Sequence, residues 1–525
     1  MDPRSTPNGQ WVFGSIRDML TATPAQFTSA LPGSDTERRL RTSLIATYFQ
    51  DDFRFRANLT LNLGLRYEVA TPITEVDGKI ANLRNLTDAQ PTIGNPLFQN
   101  PTLKNFAPRV GLAWDPFKDG KTSIRSGFGL FDVLPLPYLF WNKATHGAPF
   151  FQLGTVNNPP GSSFPGNALG LIQPSALRAA SIEYRPPRAY KMQWNLNVQR
   201  QIVKDITLTV GYVGAAGVHL PVGYDDVDLV PPNLTTRAPD GHYLFPTTGP
   251  MQRINPNFGR IDGTRWNGHS SYHALQTNLV GRPGRGLTFQ ATYTWAKNID
   301  NGSTVITSTE TVNHSDSAYF FDPRINRAVS DFDVRHNGAV NFTWEVPSPA
   351  ALKGIARLLL HGWQLGAIFV AQSGSPFSVR INSDQARSGT SLAGVRGGPE
   401  KPDFVAAPGC STNATNPGNF TNYIKTECFA FPALGSLGNL GRNTLRGPGL
   451  RDLDFSLFKN HQLSRRGLKI QFRAEVFNLL DRANLQAQLV TLFDSRGRLV
   501  STAGQLQPPT VTSSRQIQLG TKLIW

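Results

Sequence analysis

Residues 59–68 read LTLNLGLRYE, an unbroken alternation. Leu59, Leu61, Leu63, Leu65 and Tyr67 fall on one side of an extended chain, and Thr60, Asn62, Gly64, Arg66 and Glu68 on the other. Successive side chains of a strand point to opposite faces, so the segment has one apolar and one polar face. A helix would scatter both sets. The same split recurs in Leu468, Ile470, Phe472, Ala474 and Val476 against Lys469, Gln471, Arg473 and Glu475, and again around Met192–Gln199 and Leu287–Trp295.

A soluble sandwich also alternates, so period 2 does not by itself place these strands in lipid. Two features favour the bilayer. The runs extend to about ten residues or more, the length a tilted strand needs to cross a membrane, whereas ordinary strands average five or six. Aromatic residues (Tyr67, Tyr212, Tyr293, Trp295, Trp344, Trp525) gather at the ends of the apolar rows, as the girdles of a membrane barrel require. No stretch approaches the roughly 18 apolar residues of a membrane helix, so any span is made of strands.

Counting back from Trp525 predicts strands near 514–525, 467–480, 451–462, 361–379, 334–347, 286–300, 269–281, 205–216, 188–201, 121–133, 105–116, 58–70, 41–54 and, weakly, 9–20. That is about fourteen, an even number that would leave both ends on one side. Their connections alternate in length. Phe55 to Ala57, Phe117 to Gly120, Ile202 to Lys204, Arg282 to Arg285 and Leu463 to Arg466 are tight, and Ser348 to Leu360 has room for a helical turn. The others (71–104, 134–187, 217–268, 301–333, 380–450, 481–513) are long and rich in Gly, Pro, Asn and Ser. The expected fold is an all-β, antiparallel transmembrane barrel with short periplasmic turns and long extracellular loops.

A net charge of +16 raises nucleic acid, but the Lys and Arg residues are scattered and form no runs, so the expected partner is an anionic lipid surface and not nucleic acid. Cys410 and Cys428 lie in one outer loop, where an oxidising space favours a disulfide.

Several stretches resemble the TonB-dependent outer-membrane receptors, specifically their Oar-like branch: Tyr48 to Glu68 (YFQDDFRFRANLTLNLGLRYE), Asn105 to Phe131, Ser330 to Asn337 (SDFDVRHN), Gly362 to Val379, Gly441 to Asn460 (GRNTLRGPGLRDLDFSLFKN), Gly467 to Leu485 and Ile517 to Trp525. The resemblance implies a barrel of about 22 strands around a plug domain, preceded by a TonB box. It makes residues 1–525 the C-terminal barrel portion, without plug, TonB box or signal peptide. Contact with TonB would then run only through the missing N-terminal part. The last strand, with Leu519, Leu523 and the terminal Trp525 on one face, resembles the signal read by the barrel assembly machinery. Lipid, including lipopolysaccharide, is the other implied partner.

No metalloprotease, nucleophile-elbow, phosphate-loop or paired-cysteine motif occurs at a spacing that supports chemistry, so neither an enzyme nor a bound cofactor is expected. His269 and His273 share a strand face but lack a carboxylate or thiol to complete a metal site. Asp225, Asp226 and Asp228 lack the Gly and Glu of a calcium loop and read as solvated acids. Asp331, Asp333, Arg335 and His336 form the densest charge cluster, expected to pair with neighbouring strands at the outer mouth. Arg66, Glu68, Lys469, Arg473 and Glu475 would form a charged wall inside the barrel, facing the plug.

Overall fold

The computed structural model describes residues 9–525 apart from 101, 304–318, 350, 352, 390–399, 464–466, 487–489 and 507–509. Thirteen antiparallel strands follow one another in chain order in a single sheet: β1 (Leu44–Arg56), β2 (Leu59–Ala70), β3 (Phe106–Trp114), β4 (Thr122–Asp132), β5 (Tyr190–Val203), β6 (Ile206–Tyr224), β7 (Arg260–Gly284), β8 (Leu287–Asp300), β9 (His336–Glu345), β10 (Trp363–Gln372), β11 (Leu450–Gln462), β12 (Lys469–Phe477) and β13 (Gln516–Ile524). Two short segments, Arg178–Ile182 beside β7 and Ala328–Val329 beside β8, join the same sheet. Among the described residues β1 and β13 each have one neighbour.

The registers keep the two rows apart. Leu61 lies opposite Leu112, Phe289 opposite Phe342 and Leu457 opposite Ala474, so the apolar rows of successive strands share one face of the sheet. Two-residue turns fix the registers of the β1–β2, β5–β6 and β7–β8 pairs. Between β7 and β8, Arg285 and Gly286 both have positive φ (52° and 75°), the geometry of a type I′ hairpin. A Cβ on Gly286 would lie 2.4 Å from the carbonyl oxygen of Glu345, so glycine alone fits there. The tight turn near Leu463 to Arg466 falls largely outside the described residues. The link between β9 and β10 contains a helix, Gly354–Leu360, as its composition suggests.

Burial is distributed in the reverse of a soluble protein. Large apolar side chains on the strands are exposed, among them Phe49 (71%), Ile517 (69%) and Leu519 (78%), while the large buried ones lie in the long connections (Ile80, Leu83, Phe98, Phe140, Phe377) and at the loop-side ends of β6 and β7 (Tyr224, Ile261, Trp266). An apolar outer wall without protein cover is what a lipid-facing sheet requires.

Three expectations change. Residues 9–20 supply no strand to the sheet. Gln10–Val12 pairs instead with Gln26–Ala30 in a separate four-stranded sheet, Ile16–Leu20 is helical, and Trp11 packs on Phe27. Among the described residues the count is therefore thirteen, and the chain enters β1 from the loop side. β6 and β7 run to 19 and 25 residues, beyond a bilayer crossing. The long connections are not structureless. Their short strand pairs and five buried apolar clusters weld them into a folded cap. One cluster joins Phe377 and Leu445 to Leu492 and Leu506, and another joins Ile80 and Phe98 to Phe140 and Trp266. Each such side chain contributes roughly 1.5–3 kcal/mol.

Candidate functional site

The polar face of the sheet is a wall of side chains that satisfy one another. Asn62 donates from Nδ2 to Asp52 Oδ1 (2.6 Å), Gln290 to Asn278 Oδ1 (3.0 Å) and Gln471 to Asn460 Oδ1 (2.8 Å). Arg66 binds Glu68 Oε2 at 2.7 Å, Arg473 donates from Nε to Gln471 Oε1 (2.6 Å) and stacks over Phe458, and Arg109 covers Phe131. Arg66 and Glu68 thus form a pair. Lys469, Arg473 and Glu475 share that face but lie on β12, at the far end of the strand order from β2, so the ladders do not bring the two groups together.

Above this wall the cap closes around buried charge. Arg442, on the loop before β11, reaches Asp300 at the end of β8, Ser303 Oγ (2.9 Å), Asp331 Oδ1 (3.4 Å) and the carbonyl of Asn326 (3.1 Å). Asn443 donates to the same Asp331 oxygen (2.6 Å), and Arg446 pairs with Asp333. Among the described residues the expected ion pairs with neighbouring strands do not form: the charged partners of Asp331 and Asp333 come from the 441–446 loop, and the neighbouring strand β8 contributes the backbone N–H of Asn298, which donates to Asp333 Oδ1 (2.7 Å). His336 is not part of this network; its Nδ1 meets Tyr293 Oη at 2.8 Å on the other face.

A second network joins three loops. Arg253 contacts Asp226 and the carbonyl of Asp228, Arg260 contacts Asp225 and Asp262, and Arg178 contacts Asp262. Asn255 donates from its backbone to Asp228 and from Nδ2 to the carbonyls of Leu86 and Asp88. Asp226 and Asp228 are therefore buried and held by arginine and backbone donors, not solvated as their loop position suggested. Lys143 is buried nearby, and burial pushes its ammonium pKa down against the attraction of Asp262 and Asp225. In a third group, burial would raise the Asp322 carboxyl, but hydrogen bonds from Arg324, Arg237 and Tyr243 outweigh it and hold it at about 2.

Cys410 and Cys428 are joined as a disulfide, with Cα atoms 5.5 Å apart, at the edge of the cluster that contains Phe377. His269 and His273 lie on the apolar side, His273 hydrogen-bonded to Tyr212 Oη (2.7 Å) and His269 edge-on to the His219 ring. Among the described residues no group of three potential metal ligands occurs. Leu519 and Leu523 are exposed on the apolar face, opposite Ala474 and Ile470, and Trp525 follows β13 almost fully exposed. Arg442 and Arg446 carry no local signal of their role, since their acids lie in another loop, whereas Arg253 and Arg260 meet acids at the start of their own connection and on β7 itself.

A thirteen-strand sheet with an apolar outer face, a polar inner face and alternating short and long connections defines an outer-membrane barrel. The chain belongs to the outer membrane beta barrel domain family, whose model matches residues 2–518, and it resides in the outer membrane. No curated protein is significantly similar to it in sequence. Among solved structures it is similar to the outer membrane transporter YddB from Escherichia coli (11% identity, TM-score 0.46, 91% of this chain and 45% of that one). It is also similar to the ferripyoverdine receptor of Pseudomonas aeruginosa (11%, 0.41, 95% and 39%) and to the FrpB iron transporter from Neisseria meningitidis (10%, 0.42, 92% and 46%). The chain spans less than half the length of each.

Proposed function

We propose that this chain is the barrel portion of a TonB-dependent receptor of the Oar-like type, which passes a bulky substrate across the outer membrane, and that its lumen wall packs against a plug contributed by the rest of that receptor. One observation carries the reading: the inner face presents a continuous row of amide, guanidinium and carboxylate groups, among them Arg66, Glu68, Lys469, Arg473 and Glu475, a surface suited to a polar domain and not to lipid. Lipopolysaccharide of the outer leaflet is the lipid partner. The terminal strand with Leu519, Leu523 and Trp525 is read by the barrel assembly machinery, and TonB is engaged only upstream of this chain.

The test is a photocrosslinking amino acid at Arg473 in the natural gene product, in outer-membrane preparations. Crosslinks to an upstream segment of the same polypeptide, together with co-purification of TonB, are expected. Crosslinks only to lipid, or a gene product that does not bind TonB, would refute the reading. The welded, disulfide-linked cap favours a second reading, a surface adhesion barrel without a transport cycle. That reading predicts cell attachment lost on cap deletion and no TonB requirement.

A further inference from the structure

The outward face carries exposed basic residues at its loop end. Register places His273 opposite Lys297 and Trp295 opposite His336, on the face that holds Leu275 and Val340. Lys297 lies near the loop end of β8, and His336 opens β9. Arg451, opposite Ala371, stands at the loop end of β11 on the same face. All four are exposed. By strand parity, no Asp or Glu occupies this face at the loop ends of β7 to β11. Both imidazoles are held through Nδ1, His273 by Tyr212 Oη (2.7 Å) and His336 by Tyr293 Oη (2.8 Å), which leaves Nε2 as the atom each ring can offer a ligand.

Lys297 and Arg451, on a lipid-facing wall without an acid beside them, lose hydration unless an anion joins them, and the imidazoles beside Lys297 offer further donors to such an anion. The layer that this part of the wall meets is the headgroup region of the outer leaflet. We propose that this patch binds the phosphates of an outer-leaflet glycolipid, one at the Lys297, His273 and His336 cluster and a second at Arg451. β8 and β11 are three strand spacings apart, roughly 14 Å, too far for one phosphate to serve both and suited to a headgroup carrying two. Trp295 and Tyr293 supply ring faces beside the first site. Arginine and lysine at phosphate form short charge-assisted bonds. This deepens the lipopolysaccharide contact proposed above.

The test is native mass spectrometry of the purified protein in detergent, titrated with bisphosphorylated lipid A, with the same lipid fully dephosphorylated, and with inorganic phosphate as competitor. Heat-modifiable gel mobility reports folding of each variant. The bisphosphorylated lipid is expected to bind at least about tenfold more tightly than the dephosphorylated one. Lys297→Gln and Arg451→Gln should each remove most of that difference, while Lys522→Gln, on the lumen face, should not. Equal binding of the two lipids, folded variants with unchanged preference, or displacement of the lipid by millimolar inorganic phosphate would overturn the proposal. None of these outcomes bears on the plug or TonB, so the receptor reading stands or falls separately.

Discussion

Arg442 and Asp300 lie 142 residues apart in sequence, yet they form an ion pair whose side chains are both more than nine-tenths buried, where the end of β8 meets the loop that leads into β11. The same guanidinium also binds Ser303, Asp331 and a main-chain carbonyl, so one side chain ties the β8 to β9 connection to the β10 to β11 connection.

Removing one partner strands the other as a buried charge. Arg442→Met should therefore destabilise the cap by about 3–5 kcal/mol. The double variant Arg442→Met with Asp300→Asn should recover part of this loss. Urea unfolding followed by protease sensitivity of the loops measures both, and a single variant as stable as the parent would contradict the assigned role.

The Cys410 to Cys428 bridge encloses a short loop against the apolar cluster around Phe377. Thiol titration of unreduced protein should find no free cysteine. Cys428→Ser should lower loop stability by about 3 kcal/mol. Two titratable thiols in protein taken from the outer membrane would exclude the bridge.

Asp322 gives the cap a pH dependence. Its folded pKa of about 2 is below the ordinary aspartate value of 3.8, so the folded state binds the proton less readily than the unfolded chain does. The resulting stability is fully present above pH 3.8 and is lost as pH falls towards 2. Asp322→Asn should remove that slope. Parallel unfolding curves for parent and variant between pH 5 and 2 would show that the hydrogen bonds from Arg237 and Tyr243 carry no such linkage.

Deletion of Trp525 should leave the β12 to β13 ladder intact, since that ladder ends at Ile524, yet reduce the heat-modifiable barrel found in outer-membrane fractions. Unchanged assembly would rule out a role for this residue as an assembly signal.

The strands were legible because a barrel strand declares itself locally. Thr60 to Glu68 alternates whatever lies elsewhere, and a long apolar row with aromatic ends implies lipid on one side. Residues 9–20 misled because a few alternating positions around Trp11 suit any short strand, and nothing local says that Gln10–Val12 pairs with Gln26–Ala30 and not with β1. The cap was the least legible part. Asp331 and Asp333 stood out as charges, but Arg442 and Arg446 are more than a hundred residues away, and only the fold brings them together. The acids 225, 226 and 228 looked solvated for a related reason, since Arg253 and Arg260 stand 25 to 35 residues further along the chain, and only the folding back of the connection brings them together.

The central claim, that the apolar row faces lipid and the polar row does not, can be measured position by position along β2. Single tryptophans placed at residues 60 to 66 in the reconstituted protein should be quenched by brominated lipid chains at 61, 63 and 65 and spared at 60, 62, 64 and 66. Equal quenching at neighbouring positions, or quenching of the even set, would contradict the account.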